Sequence, residues 1–152
     1  RGSIGADTLV GDDGADTLEG RGGADILTGG NRQDTFVFTS GDTGITEATA
    51  DTITDFVSGN DLLDLTAITN GNIGTYVEAS GAGNNFGTFT GNATTSFTGS
   101  AVDIYVEYNL NGSGNTYILV DEDSNGSVSA GDTLLILSGL SGSGAVDSSD
   151  FI

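Results

Sequence analysis

The chain has 152 residues, with 22 acidic side chains against three basic ones, a formal charge of −19, and no Lys or His. That balance excludes nucleic-acid backbones and anionic membrane surfaces as partners, and it opposes compaction through self-repulsion unless cations are taken up. The absence of Cys removes disulfides and thiolate metal sites, and no apolar run reaches the length of a membrane span.

The absence of His, Cys and Lys also removes zinc proteolysis, nucleophilic triads and Schiff-base chemistry, so the reading is non-catalytic. With 26 Gly and no Pro, glycine carries the turn chemistry, and helix formers are too scarce for many long helices. The chain opens on Arg1 rather than Met, as expected of a fragment or a processed product.

The first 38 residues repeat every nine. Asp7, Asp16, Asp25 and Asp34 keep this spacing, as do Leu9, Leu18, Leu27 and Phe36, and Gly2, Gly11, Gly20 and Gly29. Gly5, Gly14 and Gly23 form a fourth register, which Arg32 breaks. Each copy is a six-residue glycine loop followed by a three-residue strand with its central residue inward. Two loops and two strands complete one coil, so loops eighteen residues apart stack. Asp7 then lies over Asp25, and Asp16 over Asp34. Rungs about 4.8 Å apart bring like charges close enough to repel by roughly 3 kcal/mol at an effective dielectric of 20. Such a ladder needs a cation between its layers. Ca²⁺ suits it, because the loops offer carboxylates and carbonyls and no nitrogen or sulfur ligand.

Residues 39–50 read as a polar loop. In residues 51–68, Ser58-Gly59-Asn60-Asp61 is a turn between two strand-like pieces. Glu47, Asp51 and Asp55 stand just beyond the repeats. Asp51 is either part of a terminal metal site or a solvated acidic residue on a strand. Residues 69–100, rich in Gly, Asn, Thr and Ser with isolated aromatics, suggest several short strands. In residues 101–109, Val102, Ile104, Val106 and Tyr108 alternate with Asp103, Tyr105 and Glu107, which predicts a half-buried strand. A turn at 111–115 pairs it with residues 116–120 as a hairpin, and residues 133–140 are apolar enough for a central strand.

Residues 121–132 (DEDSNGSVSAGD) place Asp121, Asp123, Asn125, Gly126 and Asp132 at positions 1, 3, 5, 6 and 12 of an EF-hand-like loop, with the Ser127 carbonyl at position 7. Position 12 is Asp, which is shorter than the usual Glu, and the flanks read as strands. The loop is either a calcium site or a polar hairpin turn.

The nonapeptide G-x-x-G-x-D-x-U-x resembles the calcium-binding β-roll repeat of RTX proteins. The match at Asp51, Ile53, Asp55, Phe56, Gly59, Asp61, Leu63, Asp64 and Leu65 resembles the segment that follows the repeats in serralysin-type proteases, other RTX exoproteins and the repeat modules of alginate epimerases. The resemblance implies an all-β fold, with a short parallel β-roll over residues 1–38 capped by an antiparallel β-sheet or sandwich over 39–152. It also implies one Ca²⁺ between Asp7 and Asp25, with carbonyls from Ser3, Gly5, Gly20 and Gly22. A second ion would lie between Asp16 and Asp34, with carbonyls from Asp12, Gly14, Gly29 and Asn31. Arg32 and Gln33 stand where the family has small residues, which leaves the second site intact but argues against a further ion stacked beyond Asp34, while Asp25 is free to share a third, capping ion.

Asp150-Phe151-Ile152 resembles the acidic-then-apolar end of a type I secretion signal, which the secretion machinery reads in an unfolded chain. The resemblance therefore implies a non-catalytic C-terminal module of a larger secreted or bacterial cell-surface protein, folding on calcium outside the cell. The Lys-free, Thr- and Asn-rich composition points to an S-layer protein or adhesin as parent. The alternative is a calcium-dependent glycan-binding module, as in alginate epimerases, for which three Arg suit a neutral glycan better than a polyuronate.

Overall fold

The computed structural model describes residues 1–69, 73–81, 84–97, 102–142 and 144–152. What the sequence suggested for 70–72, 82–83 and 98–101, and for the Val102 side chain, lies outside the described residues. The chain is an all-β fold in which a parallel roll of short rungs runs on into a larger sheet.

The roll has three coils. Its strands are β1 (Thr8–Val10), β2 (Thr17–Leu18), β3 (Ile26–Thr28), β4 (Thr35–Val37), β5 (Asp51–Ile53) and β6 (Leu62–Asp64). Odd-numbered rungs stack in one sheet in the order β1-β3-β5, and even-numbered rungs in the other as β2-β4-β6, all parallel. Thr8 faces Ile26 and Thr17 faces Thr35, the eighteen-residue register of the nonapeptide. The central residue of each rung points between the sheets. Leu18, Leu27, Phe36, Ile53 and Leu63 are all buried, while Leu9 in the first rung is half-buried because no rung covers it.

The two pieces of residues 51–65 do not pair with each other across the Ser58–Asp61 turn. They lie in opposite sheets as a third coil. A hairpin would expose one face of this pair, whereas Ile53 and Leu63 both complete the apolar column of the roll. The loop from β4 to β5 is longer than a repeat loop, and it shifts the rung spacing without interrupting the stack.

Beyond β5 the first sheet continues through β10 (Thr133–Leu137), β9 (Thr116–Asp121), β8 (Val102–Tyr108) and β7 (Ile73–Ser80). The hairpin β8–β9 and the central place of β10 agree with the sequence. The added sheet is not wholly antiparallel, because β10 runs parallel to β5 and β7 parallel to β8. The parallel join of β7 to β8 follows from the crossover between them, which holds a helix, α2 (Phe86–Ser96), after the single turn α1 (Thr66–Thr69).

This eleven-residue helix replaces the short strands expected of the region. Its composition is poor for a helix, so packing must hold it. Asn85 caps it by accepting the Thr88 N–H at 3.0 Å. Phe89 and Ala93, one turn apart, are fully buried, and Phe89 lies 5.8 Å from the rings of both Tyr105 and Tyr117. The helix thus covers the face of β8 that the alternation assigned to solvent. Asp103, Tyr105 and Glu107 are buried, and Glu107 accepts from the Tyr105 hydroxyl at 2.8 Å and from Asn84 Nδ2 at 2.7 Å.

The chain's last residues close the far end of the second sheet. Phe151 bridges to Leu63 in parallel, the Ile152 N–H donates to the Leu63 carbonyl at 3.0 Å, and the Leu65 N–H donates to the Ile152 carbonyl at 2.8 Å. Among the described residues, no helix is long and apolar enough to cross a membrane.

Candidate metal centre

The loops between rungs are built so that carboxylates line two edges of the roll. The first Gly of each loop packs against the Asp that ends it. A Cβ on Gly20 would lie 2.1 Å from Asp25 Oδ2, and one on Gly29 would lie 2.4 Å from Asp34 Oδ2. The Gly20 and Gly29 carbonyls stand 2.4 Å from where a Cβ on Gly2 or Gly11 would be. The fourth loop position takes positive φ in Gly14 (155°) and Gly23 (133°), and also in Arg32 (84°), so the residue that breaks the glycine register keeps the loop's backbone path.

Asp25 and Asp34 divide their two oxygens between two tasks. One is fixed by the preceding rung: the Asp7 N–H donates to Asp25 Oδ1 at 2.7 Å, and the Asp16 N–H to Asp34 Oδ1 at 2.9 Å. The other is left over. Oδ2 of Asp16, Asp25, Asp34 and Asp51 is buried without a hydrogen-bond partner. A buried carboxylate oxygen that makes no bond carries a desolvation cost. No positive side chain relieves it: among the described residues Arg1 and Arg21 both pair with Glu19, at 2.6 and 3.6 Å, and Arg32 is exposed and forms no ion pair.

Both ladders extend into the third coil. The Asp25 N–H donates to Asp51 Oδ1 at 2.8 Å, and the Asp34 N–H to Asp61 Oδ1 at 3.0 Å. Burial pushes Asp25 up, against the Asp7 N–H that lowers it, with the charges of Asp7 and Asp42 adding to the rise. Asp51 is pushed up to about 7, chiefly by burial and further by Asp25 and Asp42. Half-buried Asp7 is held down by donors from Ser3.

The structure thus brings Asp7, Asp25 and Asp51 into one column, and Asp16, Asp34 and Asp61 into the other. Ser3, Gly5, Gly20 and Gly22 lie on the loops of the first column, and Asp12, Gly14, Gly29 and Asn31 on those of the second. The Asp12 and Asn31 carbonyls accept N–H groups of the stacked loop at 2.9 and 3.3 Å. Asp61 escaped the sequence reading as a ladder member, although Asp61-Leu62-Leu63 repeats the Asp-x-apolar triplet of Asp7-Thr8-Leu9. The ladder does not stop at Asp34, because Arg32 leaves the backbone path intact. Asp55 holds the Gly29 and Gly30 N–H groups at 2.9 and 2.8 Å, while Glu47 stands apart and accepts from the Tyr117 hydroxyl at 2.8 Å.

The second candidate lies between β9 and β10. Carboxylate oxygens of Asp121, Asp123 and Asp132 come within 4.8 Å of one another. Asp121 and Asp132 are buried. Asp121 accepts the Asn125 and Gly126 N–H groups at 3.2 and 3.0 Å, and Asp132 those of Glu122 and Ser129 at 3.1 and 2.6 Å. Gly126 has φ 75°, which permits the sharp turn. Asn125 Oδ1 accepts the Ser127 N–H at 2.7 Å, so this oxygen is engaged within the loop. Burial raises Asp121, and raises Asp132 to about 6, where the charges of Asp121 and Asp123 add to it.

With this geometry in hand, residues 1–36 match the family model of the RTX calcium-binding nonapeptide repeat, in four copies. Residues 1–36 are therefore four RTX nonapeptide repeats, and such repeats bind Ca²⁺. No curated protein sequence matches the chain. Among solved structures, it is similar to the AlgE6R3 subunit of the Azotobacter vinelandii mannuronan C5-epimerase at 20% identity and a TM-score of 0.40, over 100% of this chain and 75% of that one. The AlgE6R2 subunit of the same organism's epimerase gives 23% identity and a TM-score of 0.43 over 99% and 89%.

The donor set fits calcium. It consists of oxygens alone, four of them buried and unsatisfied, and the glycine loops leave no Cβ in the way. A bound ion would supply the positive charge that the ladders lack.

Proposed function

We propose that this chain is a non-catalytic, calcium-gated folding module of a larger exported protein. The observation that carries this reading is the set of buried, partnerless Oδ2 atoms on Asp16, Asp25, Asp34 and Asp51. In chelator they oppose folding. With calcium bound, the metal-binding free energy becomes folding free energy. One ion is assigned to Asp7 and Asp25 with carbonyls of Ser3, Gly5, Gly20 and Gly22. A second is assigned to Asp16 and Asp34 with carbonyls of Asp12, Gly14, Gly29 and Asn31. The hairpin loop, through Asp121, Asp123, Asn125, Ser127 and Asp132, takes a further ion. Residues 1–38 act as the calcium-operated repeats and 39–152 as the cap, which lends β5 and β6 to the roll.

The module works outside the cell, where calcium is plentiful, and the secretion machinery handles it unfolded. In that state Asp150-Phe151-Ile152 is accessible as part of a type I export address. Folding withdraws it, because Phe151 is buried and Asp150 accepts from Gly59 N–H at 2.8 Å and Ser58 Oγ at 2.7 Å. The parent is an S-layer protein or adhesin, a reading that rests on the Lys-free, Thr- and Asn-rich composition. Calorimetric counting of bound calcium tests the assignment: Asp16→Ala and Asp121→Ala should each remove at least one ion. An unchanged count for Asp121→Ala reduces that loop to a turn, and an unchanged count for both variants overturns the reading.

A further inference from the structure

We propose that the loop between β9 and β10 is a calcium-operated clasp on α2, and that Val128 is the residue through which it holds the helix. This rests on the calcium reading of that loop and adds what an ion there controls. Val128 lies within the loop, yet it packs against the apolar cluster of the cap, as does Phe86 at the start of α2. The Val128 N–H donates to Thr94 Oγ1 at 3.3 Å, and Thr94 donates in turn to the Thr90 carbonyl at 3.0 Å. Phe86, Thr90, Thr94 and Val128 line one groove. A single loop residue thus carries both an apolar contact with the cap and a hydrogen bond to the helix.

The carboxylates set where Val128 stands, because both of its neighbours are tied to them. On one side, the Ser127 N–H donates to Asn125 Oδ1 at 2.7 Å, and Asn125 Nδ2 donates to Asp123 Oδ2 at 2.6 Å. On the other, the Ser129 N–H donates to Asp132 Oδ2 at 2.6 Å, and its hydroxyl to Asp123 Oδ2 at 3.2 Å. Carboxylate oxygens of Asp121, Asp123 and Asp132 lie within 4.8 Å of one another, and no ion pair among the described residues reaches them. Three like charges at that spacing push the loop open. A cation among them holds residues 127–129 in place and keeps Val128 on the helix.

The helix is the element that responds. Its sequence, FGTFTGNATTS, has two Gly, four Thr and no charged side chain, so packing and not propensity keeps it folded. Phe89 anchors it on Tyr105 and Tyr117, and these two of the chain's four Tyr therefore report whether it is docked. By linkage, the docked helix raises the loop's affinity for calcium in return. The roll's own ions stand outside this exchange, since Val128 packs on the cluster of the cap and not on the column of Leu27, Phe36 and Ile53.

The test uses the full chain at saturating calcium. Bound ions are counted by calorimetry, the fold is followed by far-UV and the tyrosines by near-UV circular dichroism, and chymotrypsin probes Phe86 and Phe89. Asp123→Asn, at an exposed position, should bind one ion fewer, keep its far-UV spectrum, lose tyrosine signal and be cut within α2. Val128→Ala leaves every carboxylate in place. It should loosen the helix in the same way and weaken one class of site about fivefold or more. Asp16→Ala takes its ion from the roll and should leave the tyrosine signal at the wild-type level. Unchanged tyrosine signal and protection in Asp123→Asn and Val128→Ala overturn the clasp, even where Asp123→Asn has lost its ion. An unchanged ion count in Asp123→Asn removes the hairpin site on which the clasp depends. A wild-type chain that binds no calcium overturns the calcium reading as a whole.

Discussion

The backbone N–H of Asp25 donates to the carboxylate of Asp51 at 2.8 Å, across 26 residues, where the repeat would have placed eighteen. The ladder is thus held by a hydrogen bond that survives the loss of periodicity, and this separates two roles of Asp51. Its Oδ1 fixes a rung, and its Oδ2 is buried charge with no partner. Asp51→Asn keeps an acceptor and removes the charge. In chelator the substitution should raise the melting temperature, and at saturating calcium it should lower it. Thermal melts in the two buffers check the reversal, and a shift of one sign in both would contradict the division of roles.

The pH dependence should also reverse with calcium. Asp51, near 7, and Asp132, near 6, are raised above the unfolded carboxylate range, and Asp25 and Asp121 move the same way. A carboxyl whose folded pKa is raised contributes most below its unfolded pKa and loses that contribution as the pH rises through the folded value. In chelator, melting temperatures should therefore climb as the pH falls from about 8 towards 4. With calcium present the trend should invert over the same window, because protons then compete with the ion. Parallel trends in the two buffers would count against metal at these carboxylates.

Two glycine substitutions should act in opposite directions. In Gly20→Ala the new Cβ would lie 2.1 Å from Asp25 Oδ2. The clash should cost about 1–3 kcal/mol and weaken calcium binding. Gly91 in α2 has nothing within 4 Å of a Cβ. Gly91→Ala should stabilise by about 0.5–1 kcal/mol through helix propensity and leave the ion count unchanged. Urea unfolding of both variants in calcium gives the comparison.

Phe89 is fully buried against Phe86, Tyr105 and Tyr117. Phe89→Ala should cost about 3–5 kcal/mol, and at saturating calcium it should leave the roll's ion count intact, because the helix packs on the cap and not on the repeat loops. Loss of calcium together with stability would tie the helix to the sites.

The roll was legible because its signals are local. The triplets Asp7-Thr8-Leu9 to Asp34-Thr35-Phe36 give carboxylate and inward residue together, and the stacking of Asp7 on Asp25 follows from counting. Asp51-Thr52-Ile53 and Asp61-Leu62-Leu63 repeat the triplet, but the intervals of seventeen and ten residues hide the phase, so the third coil read as a closing pair of strands. The helix at Phe86–Ser96 left no pattern, since its Gly and Thr residues favour other conformations and its two buried anchors, Phe89 and Ala93, are too few to mark a period. The burial of Tyr105 and Glu107 was invisible for the same reason: the unforeseen helix packs Phe89 on that face of β8, and Asn84, just ahead of the helix, bonds Glu107. The cluster of Asp121, Asp123 and Asp132 was legible from spacing alone, because a twelve-residue loop with Gly126 at its turn brings its ends together whether strands or helices flank it.

The central claim is that calcium binding and folding are one event. Far-UV circular dichroism of the full chain, titrated with calcium from a chelated start, tests it most directly. The account predicts a largely unfolded spectrum in chelator and a cooperative gain of β structure on adding calcium, with a midpoint moved to higher calcium by Asp16→Ala and by Asp25→Ala. A native spectrum in chelator that neither substitution disturbs would contradict it.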